Sequence, residues 1–199
     1  VSSSLLGIAW PSIQQQYGVP LDALGLLLLA PTVASLAASF FSGRIIRRLG
    51  IAFTLMAACL MLGLGMVTYG LSPSWTALIF LGALLGGGAG LLDSGMNTYF
   101  AETFSPRVMN WLHASFGVGA TVGPIIMTAV FSAGLTWNAG YLAAGVVTLI
   151  LSALYIIRRA DWALRPGSSA VEALPTSAIP ALRSTLRQPL VWVGITLFF

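Results

Sequence analysis

The chain is short of charge. Its 199 residues include nine basic and five acidic side chains, 7% of the total, whereas soluble domains carry about a quarter charged residues. That shortage excludes a water-soluble fold. Lysine is absent, so every basic residue is an arginine. None is interleaved with stacking aromatics on a polar surface, which excludes a nucleic-acid partner. The single cysteine, Cys59, excludes an intrachain disulfide and a thiolate metal cluster. With one histidine, His113, there is no metal-ligand spacing either, so neither a metal nor a cofactor is expected. The N-terminus shows no basic segment and no small-residue cleavage site, so no secretory signal is expected. The chain starts at Val1 and stops at Phe199 inside an apolar run, and both ends read as cut.

What is present is apolar. Hydrophobic residues make up 57% of the chain and the mean hydropathy is +0.92. Residues 1–21, 23–43, 49–92 and 108–157 contain no Asp, Glu, Lys or Arg. A membrane helix needs about 20 apolar residues, so the first two runs hold at most one span each and the longer two hold two each. The sequence predicts an all-α membrane protein with a six-helix bundle over residues 1–157. Its spans fall at about 1–12 (a truncated first span ended by Pro11), 22–43, 51–70, 76–100, 108–132 and 140–157. Asn138 and Gly140 mark the last turn. Residues 158–188, rich in Arg, Pro, Ser and acids, read as a polar linker, and Pro189 opens the start of a seventh span over 189–199.

The arginines then fall into place. Arg44, Arg47 and Arg48 follow span two, Arg107 follows span four, and Arg158, Arg159, Arg165, Arg183 and Arg187 follow span six. The loops after spans one, three and five carry no basic residue. Cytoplasmic loops are enriched in Lys and Arg, so the even-numbered loops and the linker are expected in the cytoplasm.

Glycines recur at helix-packing intervals. Gly82, Gly86 and Gly90 repeat every four residues, as do Gly119 and Gly123, a spacing that lets helix backbones approach closely in lipid. Pro124 is expected to kink span five. One carboxylate, Asp93, lies inside a span. A charge at the centre of a membrane helix costs about 2.5–3.5 kcal/mol on insertion scales, so such a residue marks an ion or substrate path. Asn97 is four residues on, hence on the same face. Asn110 and His113, near the start of the antiparallel fifth span, fall at similar depth, and packing of the two spans would gather all four groups on one cavity wall. A Ser94–His113 dyad would suit an intramembrane hydrolase, but Ser94 follows Asp93 instead of the Gly-x expected of such a nucleophile. An enzyme is not expected.

The pattern of six spans, long linker and new span resembles the N-terminal half of a major facilitator superfamily transporter. Gly43-Arg44-Ile45-Ile46-Arg47-Arg48-Leu49-Gly50 resembles that superfamily's cytoplasmic gating motif between spans two and three. There Gly43 would start the turn and Gly50 close it, with Arg47 standing where the family has Asp. Gly90-Leu91-Leu92-Asp93-Ser94-Gly95-Met96-Asn97, with Asn110 through Ala120, is similar to spans four and five of the fucose–proton symporter group. That resemblance implies proton coupling at Asp93 and a substrate path lined by Asn97, Asn110 and His113, the last falling where the symporter has Gln. Gly119 and Gly123-Pro124 resemble part of the span-five motif of drug–proton antiporters, with Met127-Thr128 in place of its Gly-Gly.

The resemblance implies a secondary transporter for a small polar solute such as a sugar. It would work by alternating access, be driven by a proton gradient and sit in a bacterial inner membrane. Its partners would be the solute, the bilayer and the missing C-terminal six-helix bundle of the same polypeptide. Two alternatives stand beside it: a proton-coupled efflux antiporter for drugs or metabolites, and a non-transporting assembly or receptor subunit in which Asp93 ties helices together.

Overall fold

A computed structural model describes residues 2–157 of the chain. They form six helices: α1 (Ser2–Tyr17), α2 (Ala23–Leu49), α3 (Ile51–Gly70), α4 (Trp75–Thr103), α5 (Pro106–Ser132) and α6 (Trp137–Ile157). Among the described residues there is no strand. The helices α2 to α6 are each long and apolar enough to cross a membrane. The expected linker at 158–188 and the seventh span at 189–199 lie outside the described residues.

Several helix ends differ from those the sequence suggests, each for a physical reason. Pro11 sits inside α1, which runs on through Gln14, Gln15 and Gln16 to Tyr17. Proline costs a helix its bond to the carbonyl four residues back, but Leu5, Leu6, Ala9, Trp10 and Ile13 are all buried and hold α1 against the core. The glutamine stretch is an anchor: Trp137 Nε1 donates to Gln16 Oε1 at 2.8 Å and the Tyr17 hydroxyl donates to the Ser72 carbonyl at 2.9 Å. Asn138 and Gly140 belong to α6. Its preceding turn is set instead by Gly134, at φ 74°, and Asn138 Nδ2 donates to the Gly70 carbonyl at 2.8 Å.

The gating motif is corrected in the same way. Gly43 does not begin a turn but lies within α2, which continues through Arg44, Arg47 and Arg48 to Leu49. The whole reversal into α3 is the single residue Gly50, at φ 78° and ψ 158°, a region open essentially to glycine alone. The other turns use ordinary caps. The Ser74 hydroxyl accepts from the Ala77 amide at 3.3 Å, and Ser105 precedes Pro106 at the start of α5.

Short turns make consecutive helices antiparallel, so α2 and α4 run in the same direction. The α1/α2, α3/α4 and α5/α6 junctions share one end of the bundle, knitted by the three hydrogen bonds above and by ring contacts of Trp75 with Trp10 and Tyr17. Arginines occupy the opposite end. Packing is dominated by α2 on α4, then α3 on α6 and on α4, with α5 lying chiefly on α1.

The glycines explain this order. A Cβ on Gly86 would run into the Pro31 carbonyl, and one on Gly90 into Ser35, so α2 and α4 touch backbone to backbone. Gly88 and Gly95 face α3, where a Cβ would meet Ala58, Met61 and Leu62 or the Leu55 side chain. On the other side of α3, Gly63 abuts Leu149, and Gly145 of α6 abuts Val67.

The glycine contacts and the Gly50 turn set the expected effect of three substitutions. Gly86→Ala should lower the stability of the detergent-solubilised protein by about 1–3 kcal/mol, the cost of overpacking. Gly43→Ala, whose Cβ would meet nothing within 4 Å, should raise it by about 0.5–1 kcal/mol through helix propensity. Gly50→Ala should lose about 1–3 kcal/mol from backbone strain. Thermal melts of the three variants check all three signs.

Candidate functional site

The site begins with the glycine stripe of α4. Residues 82, 86 and 90 point at α2, and at 100° per residue Asp93 and Asn97 continue the same stripe toward the arginine end. Gly95, buried against Leu55 of α3, fixes the rotation of this segment, so Asp93 and Asn97 are turned away from α3. With 1.5 Å of rise per residue, Asp93 lies about 15 Å from the C-terminal end of α4, inside the hydrophobic thickness.

Asp93 is exposed on the surface of the bundle while Asn97 is half-buried. The two are tied together: Asn97 Nδ2 donates to Asp93 Oδ1 at 3.0 Å and to the Asp93 backbone carbonyl at 3.0 Å. A hydrogen bond from an amide to a carboxylate is charge-assisted, which fixes the Asn97 side chain over Asp93. The other amide atom, Asn97 Oδ1, is buried without a hydrogen-bond partner. The same-face relation of Asp93 and Asn97 expected from spacing is therefore a direct contact.

Asn110 and His113 are placed differently. Both are exposed on the first two turns of α5, and among the described residues neither makes a hydrogen bond, to Asp93, to Asn97 or to anything else. The reason lies in α4. Its two glycine faces are taken up by α2 and α3, leaving α5 to pack on α1. Ser94 likewise shares no hydrogen bond with His113, its backbone carbonyl accepting from Thr98 at 2.9 Å. Among the described residues no group of three His, Cys, Asp or Glu side chains is arranged to hold a metal.

Arg44, Arg47 and Arg48 are exposed at the end of α2, with the Arg44 guanidinium 5.6 Å above the Phe41 ring.

A cavity of about 330 Å³ opens beside the α2–α4 seam. Leu6 of α1, Leu27, Thr32 and Ser35 of α2, Tyr69 of α3, Ala89 of α4 and Tyr141 of α6 are in its wall. Asp93 stands one turn beyond Ala89, so the carboxylate and the cavity share one flank of α4. The wall is mostly apolar with a few hydroxyls, the composition expected of a small-molecule pocket. Sequence reasoning missed the α2 contribution. Thr32, Ser35, Ser39 and Ser42 recur at helical heptad spacing, and this signal could have identified the polar face of α2. Ser39 Oγ crosses to α4, donating to the Gly90 carbonyl at 3.3 Å, and Ser42 Oγ donates to the Ser39 carbonyl at 2.7 Å.

Comparison with known proteins completes the description. The family model described as Major Facilitator Superfamily matches residues 1–199. The multidrug efflux pump SdrM of Staphylococcus aureus (strain N315) is 25% identical over 130 residues, which cover 63% of this chain and 29% of that protein. The chain thus matches less than a third of that relative's length. No solved structure matches. Members of the matched family are transporters, not enzymes. The family match covers every helix described above, five of them able to span a bilayer, and the chain is accordingly an integral membrane protein belonging to the Major Facilitator Superfamily.

Proposed function

We propose that the chain forms one half of a proton-coupled secondary transporter, in which Asp93 loads and releases the proton. The observation that carries this reading is the Asp93–Asn97 pair: a carboxylate within the membrane thickness, exposed on the bundle surface, whose hydrogen-bond partner is a neutral amide. A carboxylate facing lipid is costly. Its exposure is consistent with a water-accessible cavity formed against a second six-helix bundle of the same polypeptide. A group that exchanges protons needs such access, and with a neutral partner it can change charge without breaking an ion pair. The proton gradient then drives transport with no cofactor, by alternating access about the fixed site. The arginine end faces the cytoplasm of a bacterial inner membrane, in line with the basic bias of the even-numbered loops.

Efflux of a lipophilic, weakly polar solute is the direction and substrate class we favour. It is supported by the apolar wall with scattered hydroxyls beside Asp93 and by the likeness to a multidrug efflux pump. Uptake of a sugar-like solute is the second reading. It is favoured by the exposed amide and imidazole of Asn110 and His113, groups suited to hydroxylated ligands, and by the resemblance to the fucose–proton symporter group.

Asp93→Asn in the full-length transporter should abolish proton-driven transport in vesicles and leave substrate–substrate exchange intact. Transport that kept its full dependence on the proton gradient would remove Asp93 from the mechanism. Asn110→Ala and His113→Ala separate the two substrate readings. Under efflux they should change dye export less than about twofold. Under sugar uptake they should raise KM about tenfold, since each removes a hydrogen bond worth about 1 kcal/mol or more. Both should melt within about 0.5 kcal/mol of wild type, as unpartnered surface positions do.

A further inference from the structure

The outward face of α2 carries a second pattern, whose Leu36 also borders the cavity described above. At 100° per residue, Leu29, Val33, Leu36, Phe40, Arg44 and Arg47 fall within an arc of about 80° on one side of the helix. All six are exposed, Leu36 at 63% and Phe40 at 70%. The stripe is apolar along its length and cationic at its top. From Leu29 to Arg44 it runs about 22 Å at 1.5 Å per residue, more than the 15 Å or so of half a hydrocarbon core. Beside it, between α2 and α4, lies an open groove of about 420 Å³ walled by Leu26, Leu29, Val33, Ala37, Ile79 and Ala83.

The arginines at the top lack acidic partners. The acids of the described residues are Asp22, Asp93 and Glu102. Asp22 is at the other end of α2, Asp93 is held by Asn97, and no ion pair among the described residues links any of the three to Arg44, Arg47 or Arg48. Arg44 rests on the Phe41 ring, which orients the guanidinium by cation–π attraction and leaves its donors unused. Where the superfamily motif has Asp, this chain has Arg47, so one negative charge is replaced by a positive one at this spot.

We propose that this face of α2 binds one anionic phospholipid of the arginine-side leaflet. Arg44 and Arg47 hold the headgroup phosphate, Arg48 adds charge, and an acyl chain lies along Phe40, Leu36 and Val33 into the groove. A zwitterionic lipid offers the same chains but carries no net charge to match three guanidiniums that have no acidic partner among the described residues. Basic clusters at the membrane surface gain about 1 kcal/mol per residue from anionic lipid. Phosphate contacts by Arg are bidentate and geometrically specific. The headgroup contacts do not include Asp93, and lipid retention is read without any proton gradient.

The test uses the purified full-length transporter with phosphatidylglycerol and phosphatidylcholine of identical chains. Native mass spectrometry should show one phosphatidylglycerol retained with about tenfold preference over phosphatidylcholine. Arg44→Gln combined with Arg47→Gln should erase that preference, and Arg107→Gln should not. In a second measurement, Phe40→Trp supplies a reporter in an otherwise intact chain. Brominated phosphatidylglycerol should quench its added emission at least about threefold more than brominated phosphatidylcholine at equal mole fraction. Equal retention of the two lipids, or an unchanged preference in the double variant, overturns the proposal. Absence of quenching by either lipid would also overturn it, because the face would then be covered by protein, the second bundle or another copy. Displacement of the lipid by inorganic phosphate alone would reduce the site to a simple anion pocket and likewise overturn it.

Discussion

The backbone contact between α2 and α4 organises the bundle. Pro31 cannot donate a hydrogen bond to the Leu27 carbonyl, and it is at this point of α2 that Gly86 presents a bare helix surface. A Cβ at 86 or 90 would meet backbone atoms rather than a movable side chain, so any substitute must push the two helices apart. Between lipid-embedded helices there is little hydrophobic force, and close van der Waals packing through small residues takes its place. Once α2 and α4 are locked in register, with 86 opposite 31 and 90 opposite 35, the same stripe of α4 places Asp93 and Asn97 one and two turns farther along. The position of the candidate proton site is a consequence of a packing contact elsewhere on the helix.

That contact also decides what α4 cannot do. One face is given to α2 through Gly82, Gly86 and Gly90, the other to α3 through Gly88 and Gly95. Helix α5 follows α4 in the chain, yet it packs on α1, fastened by Met127, which is fully buried, with Gly140 of α6 beside it. Asn110 and His113 are thereby left on a free helix surface. Depth along the membrane normal, which sequence order does supply, is a different quantity from lateral contact, which it does not.

This distinction explains what could be read in advance. The six-helix class, the glycine packing faces and the Asp93–Asn97 contact all rest on spacing within a single helix, and they were legible as periodicity. The helix ends were less so. Pro11 and the glutamines looked like a terminus because their composition is that of a loop, but Gln16 and Tyr17 are kept helical by partners on α6 and beyond α3, at Trp137 and Ser72. Gly43 and Gly50 look alike in the sequence. Only the second sits at positive φ, and what separates them is how far α2 must extend to carry its arginines clear of the apolar region. The cavity wall was hidden for a related reason. It draws on five helices at once, and the hydroxyl stripe of Thr32, Ser35, Ser39 and Ser42 is inconspicuous among so many small residues.

The two ends of the bundle are held by different sets of contacts. The end away from the arginines is cross-tied by Trp137 to Gln16, Tyr17 to Ser72 and Asn138 to Gly70, with Trp137 packed edge-to-face on Tyr69 and Tyr141. Toward the arginine end, the Tyr155 hydroxyl donates to the Ala52 carbonyl and Ser39 Oγ to the Gly90 carbonyl, each at 3.3 Å. Hydrogen bonds in a low-dielectric setting resist separation more than they do in water, so these ties hold α1, α3 and α6 together at that end.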